Sequence, residues 1–165
     1  MDYDNAPPFE IARYREMQNA LPGVDSFYRL VLAQLEVEKF PSNHVLVVGA
    51  GGGREVEALC NSKVSFQVTG GDPSRDMLNI ARWYVDQSTC SGDVELVEGT
   101  SSDVTAPKGG FDAATSLLVM HFLNNGSGEN SKLNYLKAIR ERLKPGALCL
   151  HADISFDSKA DFDRL

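Results

Sequence analysis

The chain has 165 residues, of which 42% are hydrophobic and 24% charged, a composition typical of one globular domain. Its net charge of −7 and pI of about 4.9 exclude the broad basic surface that binds nucleic-acid backbones. No apolar run reaches membrane-span length, the acidic amino terminus lacks an apolar signal core, and the three cysteines lack metal-ligand spacing. We therefore expect a cytoplasmic protein with reduced thiols and with no metal, membrane or nucleic-acid partner.

The first part of the chain is predicted to form a helical cap. Residues 9–21 and 25–39 place apolar side chains at helical spacing, and a Pro-Ser-Asn sequence ends the second segment. This break separates an N-terminal cap, residues 1–40, from a core, residues 41–165. Tyr14, in the sequence Ala-Arg-Tyr-Arg, is predicted to be a lid or substrate-facing residue.

A dense glycine loop follows the first predicted strand. Residues 45–48, Val-Leu-Val-Val, indicate a buried strand, and Gly-Ala-Gly-Gly-Gly at 49–53 makes a turn that favours residues without a Cβ. Residues 54–59 then begin a helix, whose first N–H groups lack partners within the helix and can face a ligand. The loop alone indicates a ligand that contains a nucleoside.

The second predicted strand, residues 64–70, leads into an acidic turn that distinguishes between ligands. The dinucleotide motif G-x-G-x-x-G requires a glycine at position 54, which is Arg54. Asp72 is placed to accept both hydroxyls of a ribose. Residues 72–78, Asp-Pro-Ser-Arg-Asp-Met-Leu, resemble the D-x-S-x-x-M-L motif of class I S-adenosylmethionine-dependent methyltransferases. The alternative interpretation of Asp-Pro-Ser is an ordinary turn and helix cap.

The resemblance extends along most of the chain. Residues 94–100 resemble the third strand and its loop, and residues 110–123 the fourth strand and the turn beneath the reactive methyl. Residues 136–150 resemble a helix, a Lys-Pro-Gly turn and the fifth strand, and proline and glycine suit this reversal. The resemblance implies an α/β fold, a Rossmann-like doubly wound sheet of the class I methyltransferase type.

The carboxyl end departs from this fold. The family's sheet has two further strands, but this chain ends in an apparent helix, residues 158–165, after its fifth strand. We expect a core truncated at its C-terminus, as in a fragment of a longer enzyme. The fifth strand is then an open edge, which favours a homo-oligomer or a covering partner chain.

The resemblance also implies where S-adenosyl-L-methionine binds as the cofactor. The glycine loop lines its methionine part, Asp72 binds the ribose, and Met77 and Ser101 flank the adenine. Val47 and Thr100 stand where the family usually has acids, and Ser101, Ser102 and Asp103 are close enough to take over the hydrogen bond of the second. The implied cofactor-binding residues are Gly49, Ala50, Gly51, Gly53, Asp72, Met77, Thr100, Ser101, Ser116 and Leu117.

His121 is the candidate catalytic residue. It follows the fourth strand, where the family places substrate-facing residues, and it could act as a general base if the acceptor must lose a proton. Packing beside Met120 and Phe122 is an equally weighted alternative. His151 and Asp153 share one face of the fifth strand and are interpreted as a buried, satisfied pair.

Three classes of function remain open. The leading class is an S-adenosylmethionine-dependent methyltransferase that acts on a small-molecule acceptor. Residues 21–123 and 147–157 are also loosely similar to carboxy-S-adenosylmethionine synthase, which modifies the cofactor itself. The third class is a non-catalytic module that binds S-adenosylmethionine. A nicotinamide dehydrogenase is disfavoured by Arg54, and a hydrolase by the lack of a nucleophile-elbow sequence.

Overall fold

The computed structural model describes residues 11–90, 93–125, 128 and 131–154. Five parallel strands form one sheet in the order β3-β2-β1-β4-β5, which confirms the predicted Rossmann-like α/β fold. The elements are α1 Ile11–Ala20, α2 Val24–Val37, β1 His44–Val48, α3 Arg54–Cys60, β2 Gln67–Asp72, α4 Arg75–Gln87, β3 Val94–Glu98, β4 Phe111–Leu117, a 3₁₀ turn Met120–Phe122, α5 Lys132–Arg142 and β5 Leu143–Ala152. The first ten residues of the predicted cap and the predicted helix at 158–165 lie outside the described residues.

The strand order reverses between β1 and β4. The chain moves outward from β1 to β2 and β3, and then returns to the other side of β1 with β4 and β5. In a parallel sheet such a reversal opens a crevice at the carboxyl ends of the two central strands. The glycine loop leaves β1 at this crevice, so the topology places it where ligands of such sheets bind.

Two hydrophobic layers cover the sheet. Val45 and Val47 of β1 point into one layer with residues of α2, α3 and α4, whereas Leu46 and Val48 point into the other with Phe111 and α5. These four valine and leucine residues of β1 are each at most 4% exposed. A central strand that is buried on both faces needs this unbroken apolar run.

The Lys-Pro-Gly sequence is not the turn that the sequence predicted. The structure begins β5 at Leu143 and includes this sequence in the strand. Phe111 pairs with Leu143, but Ala113 pairs with Leu148, so the chain bulges between the two pairs. Gly146 in the bulge has φ 76°, a backbone conformation that favours glycine. The chain changes from helix to strand before this sequence, between the end of α5 at Arg142 and the start of β5 at Leu143.

The expectation of three reduced thiols is wrong for two cysteines. The structure places Cys60 and Cys90 in a disulfide, with Cα atoms 4.8 Å apart, and leaves Cys149 free. Cys60 ends α3 and Cys90 follows α4, two helices that pack together. Their spacing along the chain could not show this because the contact depends on how the two helices end side by side.

Candidate functional site

The glycine loop is bound to the end of β2. The N–H groups of Gly49 and Ala50 donate to the carbonyl oxygen of Gly71 at 2.8 and 3.0 Å. Gly51 and Gly53 have φ values of 49° and 78°, which side chains rarely tolerate. A Cβ on Gly53 would also lie 2.6 Å from Ala81 Cα, so glycine there permits the close approach of α3 to α4.

Asp72 joins the glycine loop to α4. Its Oδ2 accepts the Gly51 N–H at 2.8 Å, and its Oδ1 accepts the Ser74 N–H at 2.9 Å. Ser74 caps α4 by accepting the N–H of Met77. Burial raises the pKa of Asp72, and the two backbone donors offset only part of this effect. The structure therefore shows the predicted turn and also brings the acid to the loop, with lone pairs left on each oxygen for a ligand.

Helix α1 covers the glycine loop. A Cβ on Gly52 would overlap the ring of Tyr14, whereas a Cβ on Gly51 would lie 3.6 Å from Met77 Cε and 3.7 Å from Tyr14 Oη. Tyr14 Oη accepts a hydrogen bond from Gln18 Nε2 at 3.1 Å. Burial is the main cause of the raised pKa of Tyr14. Gly51 thus faces a space bounded by two residues that the sequence assigned to the site.

Arg15 fixes α1 in this position. Its guanidinium lies 2.9 Å from Glu57 Oε2 of α3, and its Cζ lies 3.9 Å from the centre of the Tyr84 ring of α4. The ion pair and the cation–π contact attach α1 to the two helices that flank the glycine loop. A movement of α1 as a rigid unit away from the loop would have to break both contacts.

The loop after β3 contains the predicted adenine side of the site. Ser101 is buried, with 3% exposure, whereas Thr100 is exposed. Thr100 donates to Asp103 Oδ2 through its N–H at 2.8 Å and its hydroxyl at 2.9 Å, and these two bonds lower the pKa of Asp103. The sequence offered Ser101, Ser102 and Asp103 as replacements for the acid that the family usually has at position 100. Of these three, Asp103 is already hydrogen-bonded to Thr100.

A hydrogen-bond network follows β4 on the α5 side of the sheet. Ser116 is 1% exposed, and its hydroxyl lies 2.6 Å from Tyr135 Oη and 3.1 Å from His151 Nδ1. Leu117, which is 5% exposed, ends the strand, and Leu118 has φ 59° in the turn that follows. This turn directs the chain toward His121.

His121 pairs with Asp153 across the carboxyl edge of the sheet. Its backbone N–H donates to Asp153 Oδ2 at 2.9 Å, and its Nδ1 lies 2.6 Å from Oδ1. Burial pushes the pKa of Asp153 up, but the hydrogen bonds from His121 and from the Ile154 N–H, together with the attraction of His121, outweigh it and the pKa is lowered. The interpretation of His151 and Asp153 as a pair is wrong, because His151 contacts Ser116 instead.

A cavity of about 380 Å³ lies beside this pair. In the described part of the chain it is lined by Met120, His121, Leu123, Asn125, Lys132, His151, Asp153 and Ile154. It combines apolar side chains with polar groups able to exchange protons, as small-molecule sites do. Sequence reasoning missed Asp153 as the partner of His121 because the two residues are 32 positions apart and no local motif connects them.

The described residues contain no group of three or more His, Cys, Asp or Glu residues that could hold a metal ion. None of the described helices has both the length and the apolar character needed to cross a membrane. The candidate site has two regions. The first is the glycine loop with Asp72 beside β1 and β2, and the second is the His121–Asp153 pair beside β4 and β5.

These features define a class of protein, an α/β domain with a nucleoside-type binding site at the carboxyl edge of a parallel sheet. The chain belongs to the methyltransferase-domain family, whose match covers residues 45–146 and hence both the glycine loop and Asp72. No curated protein matches the chain significantly.

Solved structures share this fold at low sequence identity. The YcgJ protein from Bacillus subtilis is 20% identical, with a TM-score of 0.65 over 85% of this chain and 55% of its own. An amino pentose methyltransferase from Micromonospora echinaspora, solved with bound S-adenosylmethionine, is 18% identical, with a TM-score of 0.63 over 93% and 60%. The [4+2]-cyclase SpnF is 19% identical, with a TM-score of 0.65 over 82% and 48%. The chain thus spans about half the length of these proteins.

Proposed function

We propose that this chain is the catalytic core of an S-adenosylmethionine-dependent methyltransferase that acts on a small-molecule acceptor. The observation that carries the proposal is the hydrogen bond from the Gly51 N–H to Asp72, which joins the glycine loop of β1 to the acid of β2 at the carboxyl edge. Membership of the methyltransferase-domain family supports the choice of cofactor.

The residues present fit this cofactor. The glycine loop provides a cradle with no side chain on Gly51, and the nearest side-chain atoms to a Cβ there are those of Met77 and Tyr14. In the proposal, Asp72 accepts the ribose hydroxyls with the lone pairs that Gly51 and Ser74 leave free. The proposed cofactor-binding residues are Gly49, Ala50, Gly51, Gly53, Asp72, Met77, Thr100, Ser101, Ser116 and Leu117.

The acceptor is proposed to occupy the cavity beside His121. Bound S-adenosylmethionine supplies a methyl group on a sulfonium, whose leaving group is a neutral thioether. The protein's task is then to align the acceptor with the methyl group and, for a protic acceptor, to remove a proton. Asp153 holds His121 through Nδ1, so Nε2 is left for the acceptor proton. Tyr14 is proposed to be the lid residue over the cofactor.

Release of S-adenosylhomocysteine in the presence of a panel of small-molecule acceptors tests the proposal. We expect product release that depends on an acceptor and that, for a protic acceptor, falls strongly in a His121→Asn variant. Binding of S-adenosylmethionine without product from any acceptor would instead favour a non-catalytic binding module. Tight binding of NADH in its place would refute the cofactor assignment.

A second candidate is a fold member that does not transfer the methyl group to an acceptor. The similarity in fold to SpnF, which is described as a [4+2]-cyclase, is the observation that favours it. The carboxy-S-adenosylmethionine synthase-like alternative from the sequence belongs to this group, since that enzyme modifies the cofactor. Mass spectrometry of the ligand that copurifies with the protein tests the synthase-like alternative, because only an enzyme of that kind would retain an acidic cofactor derivative.

Self-association through β5 is also part of the proposal. Among the described strands β5 has one neighbour, β4, so its outer edge presents backbone N–H and C=O groups for pairing. Light scattering across a concentration series would show a dimer, and a monomer at all concentrations would refute it. A cytoplasmic location stays a prediction, and a reducing compartment would disfavour the Cys60–Cys90 disulfide.

A further inference from the structure

Glu55 is a buried acid that the site described above does not use. It is the second residue of α3 and follows Gly53 of the glycine loop by two positions. The residue is 7% exposed, yet its Oε1 has no hydrogen-bond partner among the described residues. Leaving a buried carboxyl oxygen without a partner is costly, so such an atom in a binding domain indicates a partner supplied by a ligand.

The Glu55 carboxyl group lies beside β4. The Thr115 hydroxyl, which donates to the Leu46 carbonyl oxygen at 3.5 Å, lies close enough to the Glu55 carboxyl group to lower its pKa, and Thr115 pairs with Val47 of β1. Side chains of paired strand residues lie on the same face of a sheet, so the carboxyl group lies beside the Val47 side chain. Val47 is two residues before Gly49, where β1 passes into the glycine loop. The acid therefore lies next to the end of the loop that we assign to the methionine part of the cofactor.

Among the residues that the structure describes, Glu55 has no cation as a partner. Its pKa is raised to about 7 by burial, and the only opposing effect comes from Thr115. Arg54 pairs with Asp25 and Arg15 with Glu57, and although Arg54 Nη1 has no hydrogen-bond partner, neither arginine is among the causes that shift the Glu55 pKa. A buried carboxyl group with one open oxygen and no countercharge is suited to a cation that arrives with the ligand.

We propose that Glu55 is the acid that binds the α-ammonium group of the cofactor's methionine part through Oε1. This inference rests on the proposed function and deepens it by naming the residue that recognises the amino-acid end of the ligand. The family usually has an acid at position 47, where this chain has Val47, and Glu55 would be an acid at a different position of the same site.

Calorimetry with two ligands tests the proposal. The ligands are S-adenosylhomocysteine and an analogue that lacks only its α-amino group. We expect the wild-type protein to bind S-adenosylhomocysteine at least about tenfold more tightly than the analogue, as one charge-assisted hydrogen bond implies. Glu55→Gln should lose most of this preference and bind the analogue within about twofold of wild type. Glu95→Gln removes an exposed acid from β3 and serves as the matched control, with wild-type preference expected.

The outcomes separate this inference from the proposed function. Equal preference in wild type and Glu55→Gln would overturn the role of Glu55 while leaving the cofactor assignment intact. An equal loss of affinity for both ligands would also overturn it, since it would show an effect through the fold. Failure of the wild-type protein to bind either ligand would refute the proposed function itself.

A measurement on the wild-type protein covers the case in which Glu55→Gln does not fold. At pH 6.5 binding of an ammonium group should convert Glu55 to its carboxylate and release a proton, which calorimetry in buffers of different ionisation enthalpy detects. The titratable groups that act with Glu55 are Tyr28 of α2 and Tyr135 of α5, whose pKa values burial raises, so neither ionises near pH 6.5. The analogue should release no proton, and equal release with both ligands would overturn the proposal.

Discussion

Replacement of Asp72 by alanine should weaken cofactor binding and also loosen the loop that surrounds the cofactor. The carboxylate accepts the Gly51 and Ser74 N–H groups and is proposed to accept two ribose hydroxyls as well. Hydrogen bonds to a charged group contribute roughly 1.5–3 kcal/mol each, so the loss of the ribose contacts alone should cost at least about tenfold in affinity.

The structural contacts of Asp72 add a second effect. Asp72→Ala leaves the N–H groups of Gly51, which is half-buried, and Ser74, which is 6% exposed, without their acceptor. Unpaired buried donors cost roughly 1–3 kcal/mol each, so the free energy of unfolding should fall by a measurable amount. Asp72→Asn keeps one acceptor oxygen and should lose less stability, but it should still lose affinity because the charge is gone.

Calorimetry with S-adenosylhomocysteine, together with urea unfolding of the same samples, separates the two effects. Asp86→Ala, which removes an exposed acid near the end of α4, is the control for a change in net charge and should match wild type. A folded Asp72→Ala variant with wild-type affinity would refute the reasoning and return Asp72 to the role of a turn and helix-cap residue.

Three further predictions concern other parts of the site. Gly51→Val should abolish cofactor binding, measured by calorimetry, since its side chain would enter the space beside Met77 at a φ of 49° that valine disfavours; undiminished binding would contradict the placement of the methionine part. For a protic acceptor, His121→Asn should lower kcat by roughly 10²–10⁴-fold with little change in cofactor affinity, and Asp153→Asn should shift the pH profile of kcat. A loss of cofactor affinity in both variants would indicate that the two residues act through packing instead. Because burial raises the Glu55 pKa from 4.5 to about 7, the contribution of Glu55 to the free energy of unfolding should be largest below pH 4.5 and fall by up to about 3 kcal/mol as the pH rises through 7. Urea unfolding of Glu55→Gln should lack this dependence, and an identical pH profile in both proteins would contradict it.

Sequence reasoning worked best where function depends on the ends of parallel strands. The glycine loop and Asp72 are about twenty residues apart, but each follows a predicted strand. The carboxyl ends of neighbouring parallel strands meet at one edge, so their proximity could be predicted before any coordinates. The bond between Gly51 and Asp72 shows this proximity directly.

Contacts between elements that share no local pattern could not be predicted in this way. Asp153 was assigned to His151 because residues two apart share a strand face, but it lies beyond the end of β5 and turns toward His121. Cys60 and Cys90 meet only because α3 and α4 end side by side. In each case the distance depends on the lengths of several elements together, and a one-residue change in any of them would alter it.

The two buried acids beside the glycine loop show how similar burial can serve different purposes. Asp72 has both oxygens bonded to backbone N–H groups, so its orientation is already set before a ligand arrives. Glu55 lies beside Thr115 with Oε1 unpartnered, and no cation among the described residues acts on it. A preorganised acid suits neutral hydroxyls, because their hydrogen bonds do not compensate for the free-energy cost of reorienting the acid. An acid that stays neutral until a cation arrives avoids a buried unpaired charge in the free protein. If both assignments hold, the ribose end of the cofactor should contribute affinity that varies little between pH 6 and 8, and the ammonium end should contribute the part that rises with pH.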